Sequence, residues 1–234
     1  MTVGPSLSVV IPTLNEEERL PDLLTELAGF AEEVIVVDGG STDGTEKAAK
    51  RASVHFLETR PGRGEQLRAG ADAAHSEWIF FVHADCRVGP DVTEAIREFL
   101  SDARSDDFAH FRFGLEGSGP FHGAIEFGQR LRERILGLPY GDQGLIVSRE
   151  LYTAVSGYPD WPLMEDVGII DRLRRKGRRV ALAPRLKTSP RRYEEEGALK
   201  GWLRNITLMT LFRLGVSPGR LVRWCCSAIR SFRR

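Results

Sequence analysis

The sequence is poor in cysteine, and the three it has, Cys86, Cys225 and Cys226, form no CxxC pair and no Cys/His spacing. That excludes a disulfide framework and a zinc site of the usual ligand spacing, and it fits a reducing, cytoplasmic setting. No window reaches the roughly 18 apolar residues a membrane span needs, so contact with a membrane would be peripheral. The opening stretch MTVGPSLSVVIPTLNEEE lacks a basic segment and a long apolar run, and does not read as a signal peptide. Internal repeats and low-complexity linkers are missing as well. Most conspicuous is a lack of acid at one end: residues 199–234 contain no Asp or Glu but hold eight basic residues, Lys200, Arg204, Arg213, Arg220, Arg223, Arg230, Arg233 and Arg234. Net charge over all 234 residues is zero, so 25 basic residues face 33 acids in residues 1–198, a balance of −8. An acidic body with a basic tail argues against a nucleic-acid-binding core and for an interaction surface at the tail.

What is present begins with alternation. LSVVIP (7–12), EVIVVDGG (33–40), VHFLE (54–58) and EWIFFVHAD (77–85) are apolar, β-branched or aromatic runs that predict strands. Helical patterns lie between them. Asn15 is placed to cap a helix over EEERLPDLLTELAGF, with Glu16, Glu17 and Glu18 in its first turn. Ser41 or Thr42 is placed to open DGTEKAAKRA, GEQLRAGADAAH (64–75) follows, and Pro90-Asp91 starts VTEAIREFL. Continuous apolar strands separated by helices predict an α/β fold with a doubly wound, mostly parallel, Rossmann-like sheet. In the second half FAHFRFGLE (108–116) alternates like a half-exposed strand, and a helix is expected near 121–136. GDQGLIVSRELYTAVSG (141–157) reads as strand then helix, and EDVGIIDRLRRKG (165–177) as an amphipathic helix with acids at its start. The expected organisation is one domain over 1–198, whose first half at 1–105 binds one thing and whose second half at 106–198 binds another, followed by a basic helical tail at 199–234.

Ligands of open α/β sheets bind beyond the carboxyl ends of the strands. Three such ends carry polar groups: Thr13 to Glu16 after the first strand, Asp38 after the second, His83 and Asp85 after the fourth. Taken singly, Asp85 could cap a turn and His83 could be a satisfied core histidine. Together, acids gathered at one edge repel one another unless they hold hydroxyls, base nitrogens or a metal ion. Asp85 therefore reads as a ligand of Mg²⁺ or Mn²⁺, which takes one or two carboxylates and completes its shell with phosphate oxygens and water.

The blocks VVIPTLNEE, VIVVDGGSTDGT, RPGRGEQLRAG and FFVHADCRV resemble those of family 2 glycosyltransferases with the GT-A fold. PYGDQG (139–144) and PLMEDV (162–167) resemble a short bacterial branch of that family, and the likeness runs over essentially the whole chain. The resemblance implies a metal-dependent enzyme that moves a sugar from a nucleotide-diphosphate donor to a hydroxyl acceptor. By it, Thr13 and Glu16 contact the nucleoside, Asp38 the base, and Arg63 and Arg68 the diphosphate, while Asp85 binds the metal. His83 stands where the family has the first aspartate of its DxD-type motif, so fewer protein–metal contacts are implied. The general base falls on Asp166, with Glu165 as backup, and a single base with in-line attack implies inversion. Gly168 departs from the family, which often has another acid there. Asp142 and Gln143 would meet acceptor or sugar hydroxyls, and Arg191, Arg192 and Tyr193 lie on a loop that would fold over the diphosphate, with Arg192 as its donor contact.

In the tail, Leu221, Trp224, Cys225, Ala228 and Phe232 mark one helical face and Arg220, Arg223, Arg230 and Arg234 largely another. Such helices pack on the domain, make a homodimer, or lie on the inner face of an anionic membrane, a natural place for a lipid-linked acceptor. Two other functions compete with sugar transfer. A nucleotidyltransferase would show a basic glycine-rich loop after the first strand, where this chain has PTLNEEE. A catalytically silent nucleotide-sugar-binding module would explain the missing aspartate at His83.

Overall fold

A computed structural model of the chain describes residues 5–118, 122–123, 125–126, 128, 141–191 and 198–231. Its centre is one eight-stranded sheet in the spatial order β3-β2-β1-β4-β7-β6-β8-β5. The strands are β1 Leu7–Thr13, β2 Glu33–Asp38, β3 His55–Glu58, β4 Trp78–Phe81, β5 Cys86–Arg87, β6 Asp107–Leu115, β7 Leu145–Ser148 and β8 Arg178–Thr188. Strands β1 to β4 are mutually parallel, β7 and β5 run against their neighbours, and β6 pairs in parallel with β8. The sheet is therefore mostly parallel, as predicted.

The apolar runs are continuous because both faces of the sheet are covered. Val9, Ile11, Val36 and Phe80 enter one core with Leu20, Leu23 and Leu27 of α1 (Leu20–Leu27), Ala49 of α2 (Thr45–Arg51) and Val92 and Ile96 of α4 (Pro90–Asp102). Val10, Ile35, Val37, Ile79 and Phe81 enter the other. They meet Leu67 of α3 (Arg63–Ala73), Leu151 of α5 (Arg149–Ala154), Val167 and Ile170 of α6 (Glu165–Leu173) and Met209 of α7 (Ala198–Arg213). Helix α3 lies so close to the sheet that a Cβ on Gly70 would stand 2.3 Å from a methyl of Val10. Only glycine fits that approach. Helix α8 (Pro218–Ser231) follows α7 and buries Leu221.

Several expectations need correction. Asn15 does not cap α1. It adopts a left-handed φ of 57° and its Oδ1 accepts from the Thr42 N–H, while the helix begins at Leu20 beside Pro21. Glu16–Glu18 thus sit in a loop ahead of the helix. Neither Ser41 nor Thr42 opens α2; the Asp43 carboxylate accepts from the Thr45 N–H (3.0 Å), one residue into the helix. β6 is not half-exposed: every residue except Arg112 is buried, because the strand lies between β7 and β8. The helix expected near 121–136 falls mostly outside the described residues. β8 has no counterpart among the predicted strands, since Pro184 interrupts its pattern. Pro184 falls where the register against β6 shifts between His110 and Arg112, the kind of irregularity at which a strand tolerates proline.

Candidate active site

The loops after β1 and β2 are laced together by short polar side chains. Asn15 N–H donates to Ser41 Oγ (2.8 Å), Glu16 N–H to Thr45 Oγ1 (2.8 Å) and Gly44 N–H to Glu17 Oε2 (2.6 Å). Asp38, 4 % exposed, anchors the set. Its Oδ2 accepts from the N–H groups of Gly40 (2.9 Å) and Ser41 (2.7 Å), and its Oδ1 from the hydroxyls of Thr13 (3.1 Å) and Ser41 (2.5 Å). Those four donors fill the lone-pair sites of a carboxylate. Asp38 and Thr13, expected at the base and nucleoside, are in this structure the internal frame of the strand-end loops.

β4 leaves the sheet after Val82, and a turn closed by Cys86 N–H on His83 O (3.1 Å) follows. Ala84 and Cys86 point inward, while His83, Asp85 and Arg87 are half-buried on the other side. Asp85 stands beyond the same strand ends as Asp38, two strands away. Residues 188–191 close over it: Ser189 N–H donates to Asp85 O (3.1 Å), and Arg191 Nη2 to Glu16 Oε1 (3.2 Å). Burial raises the Glu16 pKa, the Arg191 charge opposes this, and the Asp85 charge adds to it. Glu16 Oε2 is buried without a hydrogen-bond partner. The Cys86 thiol is likewise pushed well up by burial and then by the charges of Asp85 and Asp142, so Asp142 faces the same region.

No group of three His, Cys, Asp or Glu side chains suited to a metal exists among the described residues. The donor set nevertheless fits a hard cation that keeps several coordination positions for water and phosphate: Asp85 would supply one carboxylate, and Glu16 has an unpartnered oxygen nearby. It does not fit a cage made entirely of protein ligands.

A second centre lies where the N-termini of α3 and α6 meet. Arg63 Nε donates to Glu165 Oε1, and Nη2 donates to Asp166 Oδ2 at 2.9 Å. Both carboxylates are buried, Glu165 at 2 % and Asp166 at 7 % exposure, and Asp166 Oδ1 has no hydrogen-bond partner. Burial raises the Glu165 pKa, Arg63 opposes it, and Asp166 adds to it. Arg63, expected at the diphosphate, is thus committed to the two acids. Gly168 has no room for the acid found in the family, since its Cβ would meet the Trp161 ring at 2.6 Å and Pro159 at 2.7 Å.

The remaining expected residues divide. Arg68 pairs with Asp160 (3.4 Å) at the surface. Asp142 is the middle residue of the 3-10 turn Gly141–Gln143, but Gln143 is turned inward at 1 % exposure. Its Nε2 donates to Phe111 O (3.0 Å), a carbonyl at the β6 irregularity where the ladder with β8 is broken. Arg192 and Tyr193 lie outside the described residues, whereas Arg191 reaches Glu16. The Arg191–Glu16 and Arg63–acid pairs span 175 and about 100 residues, and no local pattern signals them.

Comparison with known proteins places the chain by family and fold. An uncharacterized glycosyltransferase of Mycobacterium tuberculosis is 40 % identical over 84 residues, 35 % of this chain and 38 % of that protein. The glucosyl-3-phosphoglycerate synthase of Mycolicibacterium smegmatis is 36 % identical over 101 residues, 38 % of this chain and 33 % of that protein. The matches thus span about a third of the length of these curated relatives. In three dimensions the M. tuberculosis glucosyl-3-phosphoglycerate synthase, crystallised with Mn²⁺, UDP-glucose and phosphoglyceric acid, superposes with a TM-score of 0.64. That likeness has 26 % identity and covers 91 % of this chain and 81 % of that one. The sequence model of Glycosyl transferase family 2 matches residues 8–142, more than half of the chain, and the protein belongs to that family.

Proposed function

We propose that the protein is an inverting, divalent-metal-dependent glycosyltransferase that takes a sugar from a nucleotide-diphosphate donor and passes it to a hydroxyl acceptor. The observation that carries this reading is the gathering of Glu16, Asp85 and Arg191 beyond the carboxyl ends of the parallel strands, in a chain of this family. The M. tuberculosis neighbour, solved with Mn²⁺ and UDP-glucose, supports a metal and a uridine nucleotide as first probes. Mg²⁺ or Mn²⁺ held by Asp85 and finished by phosphate oxygens and water would neutralise charge on the departing diphosphate. Arg191, freed from Glu16, has the guanidinium fork that pairs with phosphate oxygens. Asp166 Oδ1 accepts the acceptor's proton as the acceptor oxygen bonds to the anomeric carbon. The bond to the nucleoside diphosphate breaks on the opposite face, which inverts the centre. Asp142 is the candidate contact for acceptor hydroxyls.

The tail supports a peripheral position. Leu203, Ile206, Leu214 and Trp224 are exposed, Arg220 and Arg223 are exposed beside them, and no helix among the described residues is long and apolar enough to cross a membrane. An anionic bilayer carrying a hydroxyl acceptor on a lipid fits that surface.

The test is product analysis with UDP-glucose and other nucleotide sugars, with Mn²⁺ or with chelator. Release of UDP that needs the metal is expected, whereas pyrophosphate release would identify a nucleotidyltransferase. Asp166→Asn should lower transfer about 10²–10⁴-fold, the usual worth of a general base, and leave binding of UDP with Mn²⁺ intact. Binding without turnover of any donor by the native protein would leave a silent binding module.

A further inference from the structure

We propose that Arg63 is a positioning residue for the acid pair: its guanidinium bridges Glu165 and Asp166 through Oε1 and Oδ2 and leaves Oδ1 of Asp166, buried without a hydrogen-bond partner, to take the acceptor's proton. The proposal rests on the proposed function only in naming Asp166 as the base. Its geometry is independent of that. Residues 102 and 103 positions away are met by two different nitrogens of one planar fork, Nε on Glu165 and Nη2 on Asp166 at 2.9 Å. The approach is fixed by the backbone. A Cβ on neighbouring Gly64 would stand 3.0 Å from Pro159 O, 3.2 Å from Trp161 O and 3.3 Å from Glu165 Cβ, so the starts of α3 and α6 are in close contact. Met164, at a left-handed φ of 65°, precedes α6 without capping it through its side chain, and the two acids occupy the first turn.

A buried carboxylate oxygen without a partner is expensive to keep, and here one oxygen of the pair is left so while its twin is held. That asymmetry is what a base requires. The groups facing the pair are Arg63 and Tyr158, with Tyr152 packed on Tyr158 and the Arg68–Asp160 ion pair farther out. Burial, then Asp166, Tyr152 and Glu165, push the Tyr158 phenol well up, so it stays neutral and supplies no compensating charge. Burial works against the Arg63 charge, but Asp166 and Glu165 outweigh it and raise the Arg63 pKa. Were Arg63 to leave for a diphosphate, two buried carboxylates would be stranded.

Three measurements on Arg63→Gln and Arg63→Lys test this. The first is melting temperature from pH 5 to pH 8, which needs no turnover. Without the guanidinium, burial favours the protonated acid in the folded state, while the unfolded chain releases that proton near the ordinary glutamate range. The deficit of Arg63→Gln relative to the native protein should therefore grow as pH rises, and Arg63→Lys should largely remove this dependence. The second is the pH profile of nucleotide-sugar turnover: Arg63→Gln should lose about 10–100-fold in kcat and move its acidic limb up by about one unit, with Lys restoring most of both. The third is binding of UDP with Mn²⁺, expected to change less than about twofold. A pH-independent melting deficit with UDP binding weakened tenfold or more would make Arg63 a phosphate contact and overturn the proposal. A pH-dependent deficit with an unmoved acidic limb would reduce the pair to a structural tie and overturn it too. If Arg63→Gln fails to fold even at pH 5, adding Glu165→Gln should rescue it by removing the stranded charge, and failure of that rescue also sinks the idea.

Discussion

At the scale of single residues, identity is a weaker guide than the number of partners a side chain already has. Asp38 ends its strand as expected, yet its two oxygens are filled by Thr13, Gly40 and Ser41, which makes it a brace for the loops. Asp166 differs: one of its oxygens is held by Arg63 and the other is buried without a hydrogen-bond partner. Gly168 illustrates the opposite constraint: the family's acid is excluded by Trp161 and Pro159. Gly168→Asp should cost at least about 2–3 kcal/mol, since it overpacks a filled site and adds a carboxylate beside two buried ones. Urea unfolding measures it, and a loss within error of zero would mean that the Trp161 loop yields. Asp38 and Asp85 are legible in the sequence because they end apolar runs, whereas Glu165 and Asp166 open a helix and are marked only by the family resemblance. What occupies their lone pairs is not legible there.

At the scale of elements, boundaries move where local signals compete with contacts from elsewhere. The loop Asn15–Arg19 has good capping residues, but they are drawn across to the loop after β2, and α1 starts only at Leu20. At the other end of the sheet, Asp107 begins β6 and ties it to β8. Its carboxylate accepts from Arg178 Nε (2.7 Å) and Nη2 (2.8 Å) and from Arg104 N–H (3.0 Å). The bonds from Arg178 hold the Asp107 pKa below its ordinary value, against the effect of burial. A depressed carboxylate stabilises the fold above its unfolded pKa and loses that contribution as pH falls through the folded one. Asp107→Asn should therefore destabilise by about 1–2 kcal/mol at pH 7, with allowance for solvent around the exposed Arg178 end. The difference from the native protein should shrink towards pH 3. An equal deficit at pH 7 and pH 3 would show that packing, not charge, ties β6 to β8.

At the scale of the whole molecule, charge is segregated along the chain, and the structure shows what that tail rests on. α7 docks through Met209 and Phe212 onto the second core, with Phe212 against Trp161 (5.7 Å between ring centroids). Arg213 pairs with Asp171 of α6 at 2.7 and 3.1 Å. Packing on the domain is thus real, and it turns Leu203, Ile206 and Leu214 outward. Co-sedimentation with vesicles containing phosphatidylglycerol should show binding that salt weakens. Charge reversal of Arg220 and Arg223 together should reduce it about tenfold or more, at about 1 kcal/mol per basic residue near an anionic surface. Equal binding to neutral vesicles, or none to either kind, would remove the membrane from the account.

By itself the sequence determined the alternation of strands and helices, the parallel half of the sheet and the acids at its strand ends. These follow from periodicity and from short-range steric and capping preferences, which act within a few residues. Only the tertiary structure decided that Arg63 serves the acid pair, that Arg191 reaches Glu16, that Gln143 satisfies a broken ladder and that Gly168 must stay bare. Gly168 apart, whose neighbours Trp161 and Pro159 are close in the chain, these facts arise from groups 32 to 175 residues apart that the burial of two apolar cores brings together, and a linear pattern carries no record of which charge finally faces which.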